Sequence, residues 1–228
     1  MDFKKIWAKV LVGLKWFFRS YIWLFVLFLV IDLVTKIVIV NYFATHDSSI
    51  VLLGSTSKPF LQISYAINER AAFGFGLESA IANRIIYCIV ASVGTAALIT
   101  IYVFSFKKTN SFVKACLMLM LVGALGNLID RIFYTPSFLH APNNGVVDWI
   151  DFIGIWPFIF NIADSCVVVG TIMLIVYFII DEIKTVRAKR AEEVKESGGK
   201  VLSKEEQQRL EAEEAPIEED KDEDSADE

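Results

Sequence analysis

The sequence predicts an all-α integral membrane protein with four transmembrane helices, a small extracytoplasmic β element and both termini in the cytoplasm. Three observations predict this fold. The chain of 228 residues is 55% hydrophobic and contains 18 Phe, a composition too apolar for an ordinary soluble domain. Four stretches reach the roughly 20 residues that a helix needs to cross a bilayer. Lysine and arginine are concentrated in alternate connections between those stretches.

The four candidate spans cover residues 21–43, 80–104, 112–133 and 157–180. The first span far exceeds the apolar core of a cleaved signal peptide and contains charged residues, so we expect it to persist as a helix. The three cysteines lie singly inside the spans, which is typical of packing residues rather than of a disulfide or a metal site.

The distribution of basic residues predicts the orientation in the membrane. Five Lys and Arg precede the first span and four lie within the ten residues that follow the last one, whereas segment 134–156 has none and segment 44–79 has two. Basic residues favour the cytoplasmic side of a bilayer. We therefore expect both termini inside and both of these segments outside.

Shifts in composition predict the domain organisation. Residues 1–20 mix basic residues with Trp and Leu at helical spacing, which indicates an amphipathic cytoplasmic arm on an anionic leaflet and not a nucleic-acid-binding helix. Residues 21–182 form the membrane domain, and its outer segment 44–79 is expected to fold as a β-hairpin. Residues 183–228 are charged and predict a largely disordered cytoplasmic tail, since 11 of the last 18 residues are Asp or Glu.

Polar residues within or bordering the apolar spans gather at one level, toward the expected outer surface. Ionisable groups in a bilayer are costly and mark functional sites by default. Several of them share a helix face through i, i+3 or i, i+4 spacing, so they can interact. The residues at this level are Asp32, Lys36, Asn68, Asn127, Asp130, Arg131, Asn161 and Asp164.

The stretch 146–165 adds an excess of carboxylates, with Asp148, Asp151 and Asp164 among aromatic and branched residues. Two aspartates held close together share one proton, because both cannot ionise. The ionised member can activate water for attack on a carbonyl, while the protonated member polarises that carbonyl. Serine-triad and zinc chemistry are disfavoured, since the chain has two histidines and neither G-x-S-x-G nor H-E-x-x-H. The residues alone do not choose between Asp148 and Asp151.

Two other functions fit a polar cluster inside a membrane protein. A proton-coupled transporter would use the aspartates as a relay, but the charges do not form a path through to the inner side. A non-enzymatic assembly factor would use the same groups as structural ion pairs. An assay for peptide-bond cleavage distinguishes a peptidase from both.

Five motifs occur in order along the spans: D-L-V-T-K at 32–36, N-E-R-A-A-F at 68–73, G-A-L-G-N-L-I-D-R at 123–131, V-V-D at 146–148 and F-N-I-A-D-S at 160–165. Together they resemble lipoprotein signal peptidase, the signal peptidase II family of bacterial aspartic membrane peptidases. The resemblance covers about residues 21–180. One departure is Arg70, which stands where the family usually has Gly.

This resemblance implies an active site. Asp148 and Asp164 would be the catalytic pair, with Asp151 outside it. Asp130 would support the structure, and the remaining motif residues would bind substrate or orient the pair. Those residues are Asp32, Lys36, Asn68, Asn127, Arg131 and Asn161.

The resemblance also implies the reaction. The enzyme would remove the signal peptide from diacylglyceryl-modified prolipoproteins, cutting just before the lipidated cysteine, with no metal or other cofactor. Its partners would be these substrates and membrane lipids, with no nucleic acid, and it would act as a monomer. It would lie in the bacterial cytoplasmic membrane with its active site at the outer leaflet.

Overall fold

The computed structural model describes residues 3–70, 78–133 and 145–196. The chain divides into two compact units, residues 1–178 and 179–228. Three parts of the sequence predictions lie outside the described residues: residues 71–73 of the second motif, residues 134–144 of the outer segment 134–156, and residues 197–228 of the expected tail. The elements are α1 (Phe3–Ser20), α2 (Ile22–Phe43), β1 (Ile50–Ser55), β2 (Lys58–Asn68), α3 (Ala80–Ser105), α4 (Ser111–Phe133), β3 (Val146–Phe152) and α5 (Ile162–Glu196).

The predicted four-span architecture is confirmed. Within the described residues, α2, α3, α4 and α5 are each long and apolar enough to cross a membrane. The chain is therefore a multi-pass membrane protein whose spans follow from their composition.

Helix α5 differs from the predicted fourth span at both ends. It begins at Ile162 and not at residue 157, because Phe160 exchanges backbone hydrogen bonds with Ile150 and extends the sheet. It continues to Glu196, so residues 183–196 of the predicted tail are helical. Ala, Lys, Arg and Glu dominate this end, and extending an existing helix requires no new nucleation.

Helix α4 packs closely against α5 through glycines. A Cβ added at Gly123 would lie 2.5 Å from the Ala163 carbonyl oxygen, and one at Gly170 would lie 2.9 Å from that of Cys116. Small residues allow such close approach of helix backbones in membranes. Leu119, Val122 and Cys166 fill the buried space between these helices.

Strands β1, β2 and β3 form one antiparallel sheet in that order, at the end of the bundle where α2 and α4 end; we call this the sheet end. The hairpin of β1 and β2 confirms the β element predicted within 44–79. Residues 146–152, part of the outer segment 134–156, form β3 and pair with β2, a strand that the sequence analysis did not predict. Val146, Val147 and Asp148 are all buried, so the apolar–polar alternation typical of a half-exposed strand is lost.

The residues of the predicted N-terminal arm form helix α1, which is separated from α2 by one residue. Tyr21 has a φ of 61°, a left-handed conformation that ends one helix and lets the next begin in a new direction. Ser20, just before it, is buried, and its carbonyl accepts a hydrogen bond of 2.5 Å from the Tyr102 hydroxyl of α3. This bond ties the α1–α2 junction to the bundle.

Candidate active site

Strand β3 presents two aspartates on opposite faces. Asp148 and Asp151 are three residues apart, and side chains alternate between the faces of a strand. From the pair Ile63–Ile150 to the pair Ala66–Asp148, β2 advances three residues while β3 advances two. This bulge turns the next part of β2 over, so that its side chains also change face.

The partners of Asp151 come from the sheet. Gln62 Nε2 and Ser64 Oγ of β2 each donate to Asp151 Oδ2 at 2.8 Å. The carboxylate is 9% exposed and Ser64 is buried beside it. Asp151 thus holds β3 against β2.

The partners of Asp148 come from the sheet and from a helix. Asn68 Nδ2 of β2 donates to Oδ2 at 3.0 Å, and Asn161 Nδ2, at the start of α5, donates to Oδ1 at 2.7 Å. Asp148 is 2% exposed. Burial and then the charge of Asp164 raise the pKa of Asp148 to about 7, while the two amide donors act in the opposite direction.

Asp164 is positioned by the hydrogen bonds that begin α5. Its backbone N–H donates to Asn161 Oδ1 at 2.9 Å, and its Oδ2 accepts from the Asn161 backbone N–H at 3.3 Å. This reciprocal pair is a capping box, with Asn161 as the N-cap residue. One asparagine therefore caps the helix, orients Asp164 and donates to Asp148.

Asn127 on α4 connects Asp164 to the interior of the bundle. Its Nδ2 donates to Asp164 Oδ1 at 2.7 Å. Its Oδ1 accepts from Asn161 Nδ2 at 3.1 Å and from Lys36 Nζ at 3.2 Å. These bonds fix the orientation of the Asn127 amide, because the oxygen faces two donors and the nitrogen faces a carboxylate.

A fully buried ionic cluster lies beneath Asn127. Lys36 Nζ is 2.8 Å from Asp32 Oδ2 and 2.9 Å from Asp130 Oδ2, and none of the three side chains is exposed. Asp32 Oδ1 accepts from the Ala163 backbone N–H at 2.9 Å, and Asp130 Oδ2 accepts from that of Val147 at 3.2 Å. The cluster thus connects α2 and α4 to the backbone of α5 and β3 beside each candidate catalytic aspartate.

Gly126 leaves room for this cluster. A Cβ at this position would lie 2.7 Å from Asp32 Oδ2 and 3.0 Å from Ala163 Cβ. Only glycine permits the carboxylate to approach the α4 backbone so closely.

Comparison with known proteins places these residues in a family. Residues 24–180 match the family model described as signal peptidase (SPase) II. The lipoprotein signal peptidase of Clostridioides difficile (strain 630) is similar, with 34% identity over 165 residues that cover 72% of this chain and 98% of that protein. That of Escherichia coli (strain K12 / DH10B) is 33% identical over 165 residues, covering 72% and 88%.

This chain belongs to the signal peptidase II family. It is therefore a peptidase, as the motif resemblance predicted. Two solved bacterial membrane enzymes, determined by the in meso method at 2.3 and 1.9 Å, also resemble it. Both are 29% identical to the chain. Their TM-scores are 0.55 and 0.53, and the matches cover 72% and 70% of this chain and 89% and 92% of theirs.

The family motif that ends in Arg131 extends to the rim of the site. Arg131 Nη1 donates to the Asn127 carbonyl at 3.4 Å and its Nη2 donates to the Arg70 carbonyl at 3.3 Å, while its guanidinium lies 5.4 Å from the Tyr87 ring centroid. Among the described residues Tyr21 is the one non-glycine residue with a positive φ. The backbone at Arg70 therefore does not require the glycine that the family usually has there.

The structure brings the sequence-predicted site residues together at the sheet end, in one connected set of hydrogen bonds and ion pairs. Sequence reasoning missed the anchors of Asp151, Gln62 and Ser64, because strand pairing across more than eighty residues leaves no local pattern. It also assigned no contact to Arg84, whose guanidinium donates to the carbonyls of Arg131 and Ile132 and caps α4. Within the described ranges, no three His, Cys, Asp or Glu side chains are grouped as metal ligands.

Proposed function

We propose that this protein is a membrane-embedded aspartic endopeptidase that removes the signal peptide from diacylglyceryl-modified prolipoproteins, just before the lipidated cysteine. The observation that carries the proposal is the placement of Asp148 and Asp164 on either side of Asn161, which donates to both carboxylates, through its side-chain amide to Asp148 and through its backbone N–H to Asp164. Family membership supports the substrate class.

Asp148 and Asp164 act as a pair that shares one proton at neutral pH. The raised pKa of Asp148, about 7, favours the proton on Asp148 when Asp164 is ionised. Asp164 takes a proton from water as the water oxygen attacks the scissile carbonyl carbon, and Asp148 donates a hydrogen bond to the carbonyl oxygen. When the C–N bond breaks, the leaving nitrogen receives a proton from the pair, which returns to its starting state.

The surrounding groups hold the pair in place. Asn68 and Asn161 donate to Asp148, and Asn127 donates to Asp164, so each carboxylate has a fixed orientation before substrate binds. Lys36 places a positive charge beneath Asn127, which stabilises the net negative charge of the pair. Arg131, at the rim, is placed to bind substrate as it enters the site.

The basic residues support an orientation with both termini in the cytoplasm and the sheet end at the outer leaflet. Segments 44–79 and 134–156 at the sheet end contain two Lys and Arg in all, whereas the N-terminal helix contains five and the short α3–α4 connection, residues 106–110, contains two. In this orientation the pair lies where the end of a signal helix and a glyceryl lipid meet, in the cytoplasmic membrane of a bacterium. The site is complete within one chain, which supports action as a monomer.

Purified full-length protein in lipid vesicles tests the proposal with two substrates, a diacylglyceryl-modified prolipoprotein and the same protein without the lipid. We expect release of the signal peptide from the modified form alone, with mass spectrometry placing the new N-terminus at the lipidated cysteine. Cleavage at another bond would contradict the proposed cut site. No cleavage by a folded protein would favour a transporter or an assembly factor instead.

A further inference from the structure

Helix α1 has one wholly apolar face and one basic face. At 100° per residue, its cations all fall within the half of the helix opposite this apolar face, and Val12 and Trp16 lie among them. The described helix contains no acidic residue to offset them. The apolar face comprises Phe3, Ile6, Trp7, Val10, Leu11, Leu14, Phe17 and Phe18, and the cations are Lys4, Lys5, Lys9, Lys15 and Arg19.

The apolar face of α1 is left uncovered by the described part of the chain. Phe3 is 77% exposed, Trp7 is 56% exposed and Leu14 is 47% exposed. Side chains of this size on one continuous face form a patch that soluble surfaces rarely leave open. Something other than the described residues must cover it.

The position of α1 in the fold limits what covers that face. The left-handed Tyr21 separates α1 from α2, a membrane span that begins at the very next residue. The bond from Tyr102 to the Ser20 carbonyl holds this junction against α3. Helix α1 therefore ends where the first membrane span begins.

A second basic element lies at the same end of the bundle. Tyr102 belongs to the last turn of α3, so the connection from α3 to α4 is close to the α1–α2 junction. This connection carries the exposed Lys107 and Lys108, and Lys114 Nζ follows it, 4.1 Å above the Phe106 ring. Cations from two separate segments thus share one level, away from the sheet end.

We propose that α1 and the α3–α4 connection together form a docking surface for an anionic lipid leaflet, with phosphatidylglycerol as the model headgroup. The apolar face of α1 enters the boundary between headgroups and acyl chains, and the lysines of both elements contact lipid phosphates. This surface is separate from the proposed peptidase site, since α1 precedes the residues that match the family model.

Charge complementarity favours lipid over a second copy of the chain. A second copy that docked through its own α1 would bring five like charges toward the basic face, and that helix has no acidic residue to offset them. An anionic leaflet instead supplies both an apolar layer and negative phosphates at the depth where α1 joins its span. Each basic residue near such a surface strengthens partitioning about fivefold.

The position of Trp7 in reconstituted full-length protein tests this surface. The protein is placed in phosphatidylcholine vesicles with and without phosphatidylglycerol, each containing a brominated-acyl lipid that quenches tryptophan at short range. The signal of Trp7 is the difference between the wild type and Trp7→Phe. We expect this signal to be quenched at least about twofold more with phosphatidylglycerol present, because the lysines draw α1 into an anionic leaflet.

A triple variant, Lys4→Gln with Lys9→Gln and Lys15→Gln, should reduce quenching with phosphatidylglycerol to the level of phosphatidylcholine alone. Lys58→Gln, an exposed lysine at the sheet end, is the matched control and should leave quenching unchanged. Equal quenching in both vesicles, unaffected by the triple variant, would overturn the proposal. Shielding of Trp7 from both bromine and aqueous iodide, with a doubled particle mass, would show instead that a second copy covers the face. Signal-peptide release, measured separately, reports on the peptidase proposal and not on this surface.

Discussion

The two faces of β3 hold carboxylates in contrasting ways. Asp151 receives its hydrogen bonds from Gln62 and Ser64, both on the neighbouring strand. Asp148 receives one from Asn68 on that strand and one from Asn161 at the start of α5, with a second aspartate close enough to raise its pKa. A buried carboxylate that is held by neutral donors of one sheet has a structural role. A buried carboxylate that separate elements place beside another acid is suited to chemistry. Substitutions on the helix side should therefore change activity, and those on the sheet side should change stability.

Removal of either member of the proposed pair should have the largest effect. Asp148→Asn and Asp164→Asn keep the shape of the side chain but remove the shared proton chemistry, and we expect signal-peptide release to fall about 10²- to 10⁴-fold. Initial rates with a diacylglyceryl-modified substrate check this. Full activity in either variant would show that the pair is assigned wrongly.

The second-largest expected effect is the pH dependence of cleavage, which tests the Asp148 face of β3. Because the pKa of Asp148 is raised to about 7, the pair loses its shared proton as the pH rises through that value. We expect the rate to fall on the alkaline side, by about tenfold per pH unit well above the pKa. Initial rates measured from about pH 5 to about pH 9, at intervals of about one pH unit, check this prediction. A rate that stays flat across pH 7 would mean that Asp148 does not hold the proton that the reaction needs.

Asn161→Ala should weaken cleavage by about 10- to 100-fold, since it removes one of the two amide donors to Asp148 and leaves α5 without its cap. Asn161→Gln tests whether any amide suffices or the short side chain is needed. If Asn161→Ala lowers thermal stability but not the rate per folded molecule, the residue is a helix cap alone.

Gly126→Ala should disturb the buried ionic cluster that lies beneath the site. The new Cβ would press on Asp32 Oδ2 and Ala163, and we expect a loss of about 1–3 kcal/mol in stability together with reduced cleavage. Gly94→Ala on α3 is the matched control, because nothing lies within 4 Å of its added Cβ. It should be neutral or slightly stabilising. Equal effects of the two substitutions on thermal unfolding would argue against a tight contact at Gly126.

Asp151→Asn should have the smallest effect on the reaction. The asparagine keeps an oxygen that can accept from Gln62 and Ser64, so we expect most of the activity to remain, with a stability loss of about 1 kcal/mol. Ser64→Ala should behave alike, because it removes one donor from the same face. A loss of activity in Asp151→Asn as large as that in Asp148→Asn would contradict the assignment of a structural role to Asp151.

Helical spacing and apolar composition predict the parts of the site that lie within single spans. The four spans follow from their hydrophobicity, and the i, i+4 spacing of Asp32 and Lys36 predicts the ion pair that the structure contains. The face shared by Asn127, Asp130 and Arg131 on α4 is predicted in the same way. These features are local, so the sequence alone carries them.

The features that sequence reasoning missed depend on pairing between distant segments. Strand β3 lacks the apolar–polar alternation of a half-exposed strand because both of its faces are covered. It forms a strand because its backbone pairs with the free edge of β2. The distinction between Asp148 and Asp151 depends on the bulge in β2, which no pattern near residue 150 reveals. The family motifs supplied that distinction as a resemblance, and the bulge gives it a physical reason.

The capping box at the start of α5 has a consequence for how the protein is made. Asp164 acquires its orientation from the same two hydrogen bonds that begin the last span. Asn127, from a span synthesised earlier, donates to Asp164, and Asp32 accepts from the backbone N–H of the neighbouring Ala163. If Asp148 and Asp164 are the catalytic pair, a nascent chain that has inserted its first three spans carries only Asp148 of that pair. Proteolytic activity would then arise only with the last span, and an incompletely inserted chain would not cut its neighbours in the membrane.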